Sequence, residues 1–490
     1  MIRADKPRRR LVAAALIATT IAMAGCAINP ASGRQQLSLL SPQDEVAIGA
    51  REFPKLVDEF GGVYDDPRLA AYVDRVGQSV AAVTGPPGTA YSFTVLDSDL
   101  PNAFALPGGY VAVTRGLLAL VNDEAELAGV LAHEVAHVTA RHTAERYSRS
   151  TLAQLGVGVL GAATGSSELA ELAGTGAQIY LLGYSRDQES EADAIGIRYL
   201  AAAGYDAYAM ASFLDQLDRY GQVTALMEGQ PADGGRPDFL STHPQTADRT
   251  RQAMALARRS AGPQSIRDRD GYLATIDGLV WGEGGANGFI RGQIFASPVD
   301  GFVWQAPPGF TLRHSGGRVL ATGDGDARML FDTVSSDPQL PIGPYLTDVW
   351  ARNISLESLE SLEIRRYPAA TAVTRLPTGD GVRDIRIFAI KPAPDRVSRF
   401  MFVTRPDQTE RLAPQFQRAA YSFRPMTPAE RSAYRPRRID VIPVAVGETV
   451  ASLARRMPFD SHAEERFRAL NGLDPGAPLR PGQWVKLIVD

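Results

Sequence analysis

The 490-residue chain has one cysteine, Cys26, so no disulfide can close within it. It has no long basic run: 51 Lys and Arg stand against 55 Asp and Glu, a net charge of −4. That balance excludes the electrostatic footprint of a nucleic-acid binder. The apolar segment Leu11 to Ala24 falls short of the roughly 20 residues that a membrane-spanning helix needs. Histidine is scarce as well, with six in all. Three of these six fall in "VLAHEVAHVTARH", Val130 to His142, with a glutamate among them.

A length of 490 residues exceeds one ordinary core, and about 150 residues per domain predicts roughly three folded units. The N-terminus comes first. Arg3, Lys6, Arg8, Arg9 and Arg10 precede the apolar segment, and Gly25 and Cys26 follow it, which is the pattern of a signal peptide over residues 1–25. "MAG" before Cys26 resembles the lipobox of bacterial lipoproteins, with Met23 an unusual residue for its start. Lipidation at Cys26 is therefore expected. It would remove an exposed thiol that is a liability in an oxidising compartment, and several acyl chains would hold a membrane durably. Ala27, where an aspartate would signal retention at the inner membrane, favours the outer membrane. The alternative is ordinary cleavage that releases a soluble protein with a free thiol.

Residues 26–40 are polar and turn-rich and are expected to form a tether. Ser41, Pro42, Asp44 and Glu45 predict a helix start. "YSFTVLDS" alternates like a strand, and Gly108 and Gly109 in "NAFALPGGYVAVTRG" predict a hairpin turn. "DEAELAGVLAHEVAHVTARHTAERY" is predicted to be one long helix capped by Asn122 or Asp123. The Gly- and Ala-rich stretch from Leu152 to Tyr184 is expected to be a buried or mobile helical segment near the active site.

Residues four apart on a helix differ by about 40° in direction, so His133 and His137 project side by side and can grip one ion. Glu134 lies beside the first of them. There it can reach a water on the ion but is poorly placed to bind the ion itself, which is the chemistry of the His-Glu-x-x-His motif. With one Zn²⁺ per chain, Glu134 as general base and peptide hydrolysis as the reaction, the motif is accounted for. His142 does not complete a metzincin. It falls one position short, Ala140 stands where that motif has glycine, and on a continuing helix it faces away from His133. It is expected to be a residue of the surface or of the layer behind the ligands. A third ligand must come from elsewhere, and "SRDQESEADAIGIRYL" offers Glu189 with Asp193 one turn on. Asp193 on the same face could fix the tautomer of a ligating imidazole. The alternative is an acidic solvated face, since Asp187 and Glu191 lie there too.

"NAFALPGGYVAVTRGLL", "HEVAH", Glu189-x-x-Ala192-Asp193 and "STHPQTADR", in this order, resemble the HtpX/Ste-type zinc metallopeptidase family, closest to its periplasmic BepA-type members. The resemblance covers about Ser41 to Gly262. It implies a gluzincin fold with His133, His137 and Glu189 as ligands and Glu134 as general base. It also implies a strand at Asn102, Ala103, Phe104 and Ala105 that pairs with an extended substrate. His243 of the "THP" loop would sit on the zinc as a fourth ligand and gate a latent peptidase. Its alternatives are transition-state stabilisation or capping its own loop. Arg249 belongs to the same motif, with a structural or a catalytic role. Beyond Gly262 the chain departs from BepA-type proteins, since no helical repeat of about 34 residues is visible.

The middle region, residues 266–424, is expected to be a mixed α/β domain in which His314 stands alone and Trp281, Trp304 and Trp350 are buried. Residues 425–438 are expected to be a linker. The end, residues 439–490, resembles a LysM module: Gly447, Glu448 and Thr449 stand where that family has Gly-Asp-Thr, and Asn471-Gly472 matches its "NG". The resemblance implies a strand, two helices and a strand that bind peptidoglycan, with a degenerate packing module as the alternative. The expected class is thus α+β: a mainly helical gluzincin metallopeptidase domain (41–262) with a small β-sheet, the mixed middle domain and a small LysM-like βααβ module. The expected function is envelope quality control in the bacterial periplasm, on unfolded or misassembled envelope proteins, with a lipid anchor at the membrane and no nucleic acid. A non-proteolytic chaperone or wall-anchored assembly factor is the competing reading, and a cell-wall binding protein that only trims partners is a third.

Overall fold

A computed structural model of the chain describes residues 26–84, 90–149, 183–228, 239, 243, 247–260, 262, 265–315, 317–378 and 381–490. The expected signal peptide and residues 152–182 of the Gly- and Ala-rich stretch lie outside these. Among the described residues no helix is long and apolar enough to cross a membrane. The chain divides into two units: one combines the segment up to Val57 with Val63–Leu279 and Arg438–Val489, and the other combines Asp58–Gly62 with Val280–Arg437 and Asp490.

The first unit opens with a hairpin in place of the expected tether. β1 (Cys26–Ile28) pairs antiparallel with β2 (Gln35–Leu37), from Cys26 opposite Leu37 to Ile28 opposite Gln35. Asn29 closes the turn, its Oδ1 accepting from Ala31 N at 2.9 Å and Ser32 N at 3.2 Å, and Gly33 takes a left-handed φ of 75°. α1 (Pro42–Glu59) starts where Ser41 and Asp44 exchange hydrogen bonds. α2 (Pro67–Ala81) is capped by Asp66, whose side chain accepts from Leu69 N at 3.0 Å. β3 (Ser92–Leu96), β4 (Ala103–Leu106) and β5 (Tyr110–Thr114) form a sheet in the order β3-β5-β4, with β3 parallel and β4 antiparallel to β5. Gly108 and Gly109 turn β4 into β5 with φ of 89° and 90°. β4 is therefore an edge strand.

A short helix, α3 (Arg115–Leu120), leads to α4 (Glu124–Thr139), which carries the histidine motif. Asp123, not Asn122, caps α4, accepting from Glu126 N at 2.8 Å. Every residue from Glu124 to His137 is buried, so α4 is the central element and has no solvent face. The expected single long helix is interrupted. α4 stops at Thr139, Arg141 adopts φ 55°, and helical structure resumes over residues 142–149. Tertiary contacts compensate for this left-handed residue, because the Arg141 side chain reaches Glu45 (Nε to Oε1, 2.7 Å) and the Leu40 carbonyl (2.9 Å). The unit continues with α5 (Arg186–Ala202), α6 (Ala209–Glu228), α7 (Ala247–Ser260) and α8 (Arg269–Ile276).

In the second unit, strands β6 (Phe289–Arg291), β7 (Ile294–Ser297), β8 (Phe302–Gln305), β9 (Thr311–Ser315), β10 (Arg318–Thr322), β11 (Arg328–Ser335), β12 (Glu357–Ile364), β13 (Tyr367–Thr378), β14 (Gly381–Ala393) and β15 (Arg396–Thr404) precede helix α9 (Pro406–Tyr421) and strand β16 (Arg424–Pro425). The antiparallel sheet runs β9-β10-β11-β15-β14-β13-β12, and a smaller one runs β16-β8-β7-β6. Phe302, Trp304, Phe331, Phe400 and Phe423 fill the core. Of the three tryptophans only Trp304 is buried, while Trp281 and Trp350 are half-buried. His314 is not alone, since its Nε2 lies 3.2 Å from Glu283 Oε1. The expected linker is ordered within this unit: Thr427 and Glu430 form a capping box, and Glu430 accepts two hydrogen bonds from Arg424.

The last residues return to the first unit. β17 (Arg437–Pro443) pairs antiparallel with β18 (Trp484–Val489), and α10 (Val450–Ala454) and α11 (Ala463–Asn471) lie between them in sequence. Residues 438–489 thus belong with 63–279 and do not form a third unit. The peptidase-side boundary likewise moves from Gly262 to Leu279, since α8 packs here. The contact includes a buried polar cluster. Lys486 is fully buried, and its ammonium donates to the carbonyls of Ala119 (2.8 Å), Leu120 (3.3 Å) and Val121 (2.8 Å) at the C-terminal end of α3. Those carbonyls have no helical partner of their own, and the cation suits the negative end of the helix. Asn471 brackets the same lysine, accepting from its backbone N at 2.7 Å and donating to its carbonyl at 2.9 Å. Gln216 donates to the Ala469 carbonyl, and Arg219 pairs with Asp474.

Lys486→Met keeps the apolar stem but leaves buried carbonyls without a donor. It is expected to cost about 2–4 kcal/mol in denaturant unfolding; a wild-type unfolding midpoint would show that the lysine does not fasten this segment.

Candidate metal centre

Two local features bring the site together. Ser185 caps α5 in a capping box with Gln188, their side chains and backbones bonding reciprocally at 3.2 and 3.3 Å, which sets Glu189 in the first helical turn. Further along α5, Gly196 lies against His133: a Cβ there would sit 3.1 Å from His133 N and 3.2 Å from its Cα. The missing side chain lets the two helix backbones approach closely, and the glutamate reaches the histidines.

His133, His137, Glu189 and His243 converge, with one ligand atom from each lying within 4.8 Å of all the others. His133 Nε2 is 3.0 Å from His137 Nε2 and 3.2 Å from His243 Nδ1. Glu189 Oε1 is 3.0 Å from His243 Nδ1 and 3.6 Å from His137 Nε2, and Oε2 is 3.5 Å from His133 Nε2. All four residues are buried. With metal bonds of 2.0–2.1 Å, ligand atoms on a tetrahedron are about 3.3 Å apart, so this donor set of three imidazoles and one carboxylate fits a metal ion.

Glu134 is fully buried beside the cluster, and neither of its oxygens accepts a hydrogen bond among the described residues. His243 Nε2 is 3.4 Å from Glu134 Oε1. His243 therefore presents one ring nitrogen to the ligand set and the other to the glutamate. Burial raises the Glu134 carboxyl above the usual range against the pull of His243 and His133, the direction that suits a base working near neutral pH. Phe239 stacks on His243 with ring centres 4.4 Å apart, and its backbone N donates to the Pro101 carbonyl at 2.8 Å. The His243 loop is thereby joined to the residue just before Asn102. Asn102 is buried, its N donating to Thr114 Oγ1 at 2.9 Å, and Ala103, Phe104 and Ala105 lie on edge strand β4.

The supporting layer is equally definite. Asp193 Oδ1 lies 3.0 Å from His133 Nδ1. Arg249 holds Asp193 with two hydrogen bonds of 2.8 Å and reaches Glu189 Oε2 at 2.8 Å. Burial opposes ionisation of Asp193, but Arg249 and His133 outweigh it and hold its carboxyl below the usual range. These contacts account for Arg249 as a clamp. Of the two places expected for His142 the structure has the one behind the ligands, not the surface: it is fully buried, and its Nδ1 lies 2.9 Å from His137 Nδ1. The turn at Arg141 aims it back at the motif, where a continuing helix would have faced it away. Tyr184 was not singled out from the sequence. Its ring stacks on His137 at 3.8 Å, its hydroxyl lies 2.9 Å from Thr143 Oγ1, and Arg146 covers it at 4.3 Å. Its place just before the capping serine was the only signal.

Residues 67–257 match the model of peptidase family M48. The chain is 34% identical over 256 residues to the beta-barrel assembly-enhancing protease of Yersinia pestis, covering 50% of this chain and 51% of that protein. It is 30% identical over 295 residues to the protein of that name in Escherichia coli (strain K12), covering 57% and 58%. To the mitochondrial metalloendopeptidase OMA1 of Schizosaccharomyces pombe it is 33% identical over 229 residues, covering 46% and 64%. The chain thus spans about half the length of the bacterial relatives it matches.

Asp193→Asn is expected to lower metal affinity about 10- to 100-fold, measured by competition with a chromophoric chelator. Unchanged affinity would show that His133 does not depend on Asp193 for its orientation.

Proposed function

We propose, on the premise that residues 67–257 form a peptidase family M48 domain, that this protein is a zinc-dependent endopeptidase of the bacterial cell envelope acting on misfolded or stalled envelope proteins. The observation that carries the proposal is the buried convergence of His133, His137 and Glu189 beside a Glu134 without hydrogen bonds among the described residues. Zinc in such a set lowers the pKa of a bound water and polarises a carbonyl. The chain's own part is proton handling and positioning. Glu134 takes a proton from the attacking water and delivers it to the leaving amine, while Asp193 and Arg249 keep the ligands in place. An extended substrate pairs along strand β4 at Asn102 to Ala105 and is read mostly through its backbone. The relatives' names, beta-barrel assembly-enhancing protease, support envelope proteins as the substrate class.

In this proposal the peptidase is latent. His243 is a fourth ligand and at the same time faces the base, so substrate and water require its loop to withdraw. The double placement of its ring, 3.2 Å from His133 Nε2 and 3.4 Å from Glu134 Oε1, supports that reading. The same closed set supports the second reading, a non-proteolytic chaperone or assembly factor with a structural zinc. The LysM-like segment, residues 439–490, is read as a packing element. Its "NG" asparagine and the loop after it are engaged by Lys486 and Arg219, which favours packing over a peptidoglycan-binding groove. Anchorage by lipid at Cys26, in the outer membrane and facing the periplasm, rests on the sequence pattern at residues 23–26.

Glu134→Gln is expected to lower hydrolysis of an unfolded casein-type substrate by about 10²- to 10⁴-fold with zinc content unchanged; chaperone activity that persists while wild type hydrolyses nothing would support the second reading. In the same assay His243→Ala should be faster than wild type: no change rejects the gate, and a loss of turnover assigns His243 to the transition state instead. Fatty-acid labelling in cells should depend on Cys26, and a label independent of it would reject the anchor.

A further inference from the structure

The two histidines of the motif are supported in different ways. His133 has a carboxylate, Asp193, at its outer nitrogen. His137 has a second imidazole, with the two Nδ1 atoms 2.9 Å apart. At that distance one nitrogen must carry the hydrogen and the other the lone pair. With its Nε2 turned into the ligand set, His137 carries its hydrogen on Nδ1 and donates it to His142 Nδ1. The hydrogen of His142 then lies on Nε2, which faces Glu191 Oε2 at 3.4 Å.

Glu191 is held in turn by the N-terminal hairpin. Arg34 Nη1 donates to Glu191 Oε2 at 2.8 Å, and Asn29 Nδ2 donates to Oε1 at 3.2 Å. Both donors come from the turn between β1 and β2, and Arg198 on α5 secures that turn by donating to the Ala31 carbonyl at 3.2 Å.

We propose that His142 and Glu191 are positioning residues of the metal centre and that the Cys26–Leu37 hairpin completes it from outside. This rests on the zinc reading of the site. An unassisted neutral imidazole is a weaker acceptor than a carboxylate, and a carboxylate on its far side polarises it. Glu191 supplies that polarisation without placing a negative charge directly on His137, and Arg34 balances Glu191. The hairpin turn fixes Glu191, Glu191 fixes the tautomer of His142, and His142 orients the His137 ring. A segment that looks like a passive spacer thereby sets the geometry of a metal ligand.

The test uses the full chain loaded with zinc or cobalt. Zinc affinity is measured by chelator competition, and coordination geometry by the visible absorption of the cobalt form. His142→Leu is expected to lose about 10- to 100-fold in affinity and to shift the cobalt bands, whereas His142→Asn, which keeps an acceptor near the Nδ1 position, recovers most of the loss. Glu191→Gln should lose about tenfold. Arg34→Ala should lose less, and since the Arg34 side chain is 61% exposed it keeps the test open if a core variant does not fold. Asp187→Asn, an exposed acid in the same turn of α5, should match wild type. Variants at His142, Glu191 and Arg34 that bind and absorb like wild type, or His142→Asn no better than His142→Leu, would overturn the relay. A wild-type chain that takes up no metal would overturn the zinc reading itself, which is a distinguishable result.

Discussion

Three imidazoles and a carboxylate crowded into a buried site repel or strand one another unless something outside them fixes each ring and balances each charge. That constraint organises the first unit. A cation at the centre would satisfy the facing lone pairs, but the centre alone does not orient the rings. Orientation comes from two outward chains, one through Asp193 to Arg249 and one through His142 to Glu191 and Arg34. Each chain ends in an arginine, so the acids added to steady the histidines are themselves neutralised before they add net charge to the interior. Arg249 serves both purposes, since it also contacts the ligand Glu189.

The scaffold serves the same end. α4 is buried from Glu124 to His137, so its imidazoles face protein on every side, and the close approach at Gly196 brings α5 near enough to contribute a carboxylate. His243 is linked to the residue before Asn102 through Phe239, which takes a bond from His243 N and gives one to the Pro101 carbonyl.

The return of residues 438–489 gives the unit a second kind of closure. The chain leaves at Leu279 and comes back more than a hundred residues later to cap α3 with a buried lysine. A lysine is poorly suited to burial, and it is tolerated because backbone carbonyls receive all of its hydrogens. Nothing in the local sequence distinguishes Lys486 from a solvated strand lysine, since its partners lie more than 360 residues away.

What the sequence determined by itself was whatever depends on local spacing. The pairing of His133 with His137, the glutamate beside them, the Gly108-Gly109 turn, the start of α1 and the cap of α4 follow from helix period and backbone preference. The strand at residues 92–96 was equally legible. Tertiary structure decided the rest. It halted the motif helix at Arg141 because Glu45 and the Leu40 carbonyl hold that residue in a left-handed conformation, and so turned His142 from an outward position to an inward one. It assigned Glu191 to the hairpin and to His142 where a solvated face was the alternative, and it joined the two ends of the chain in one unit. Such outcomes depend on which distant groups share a desolvated space, and periodicity along the chain carries no record of that.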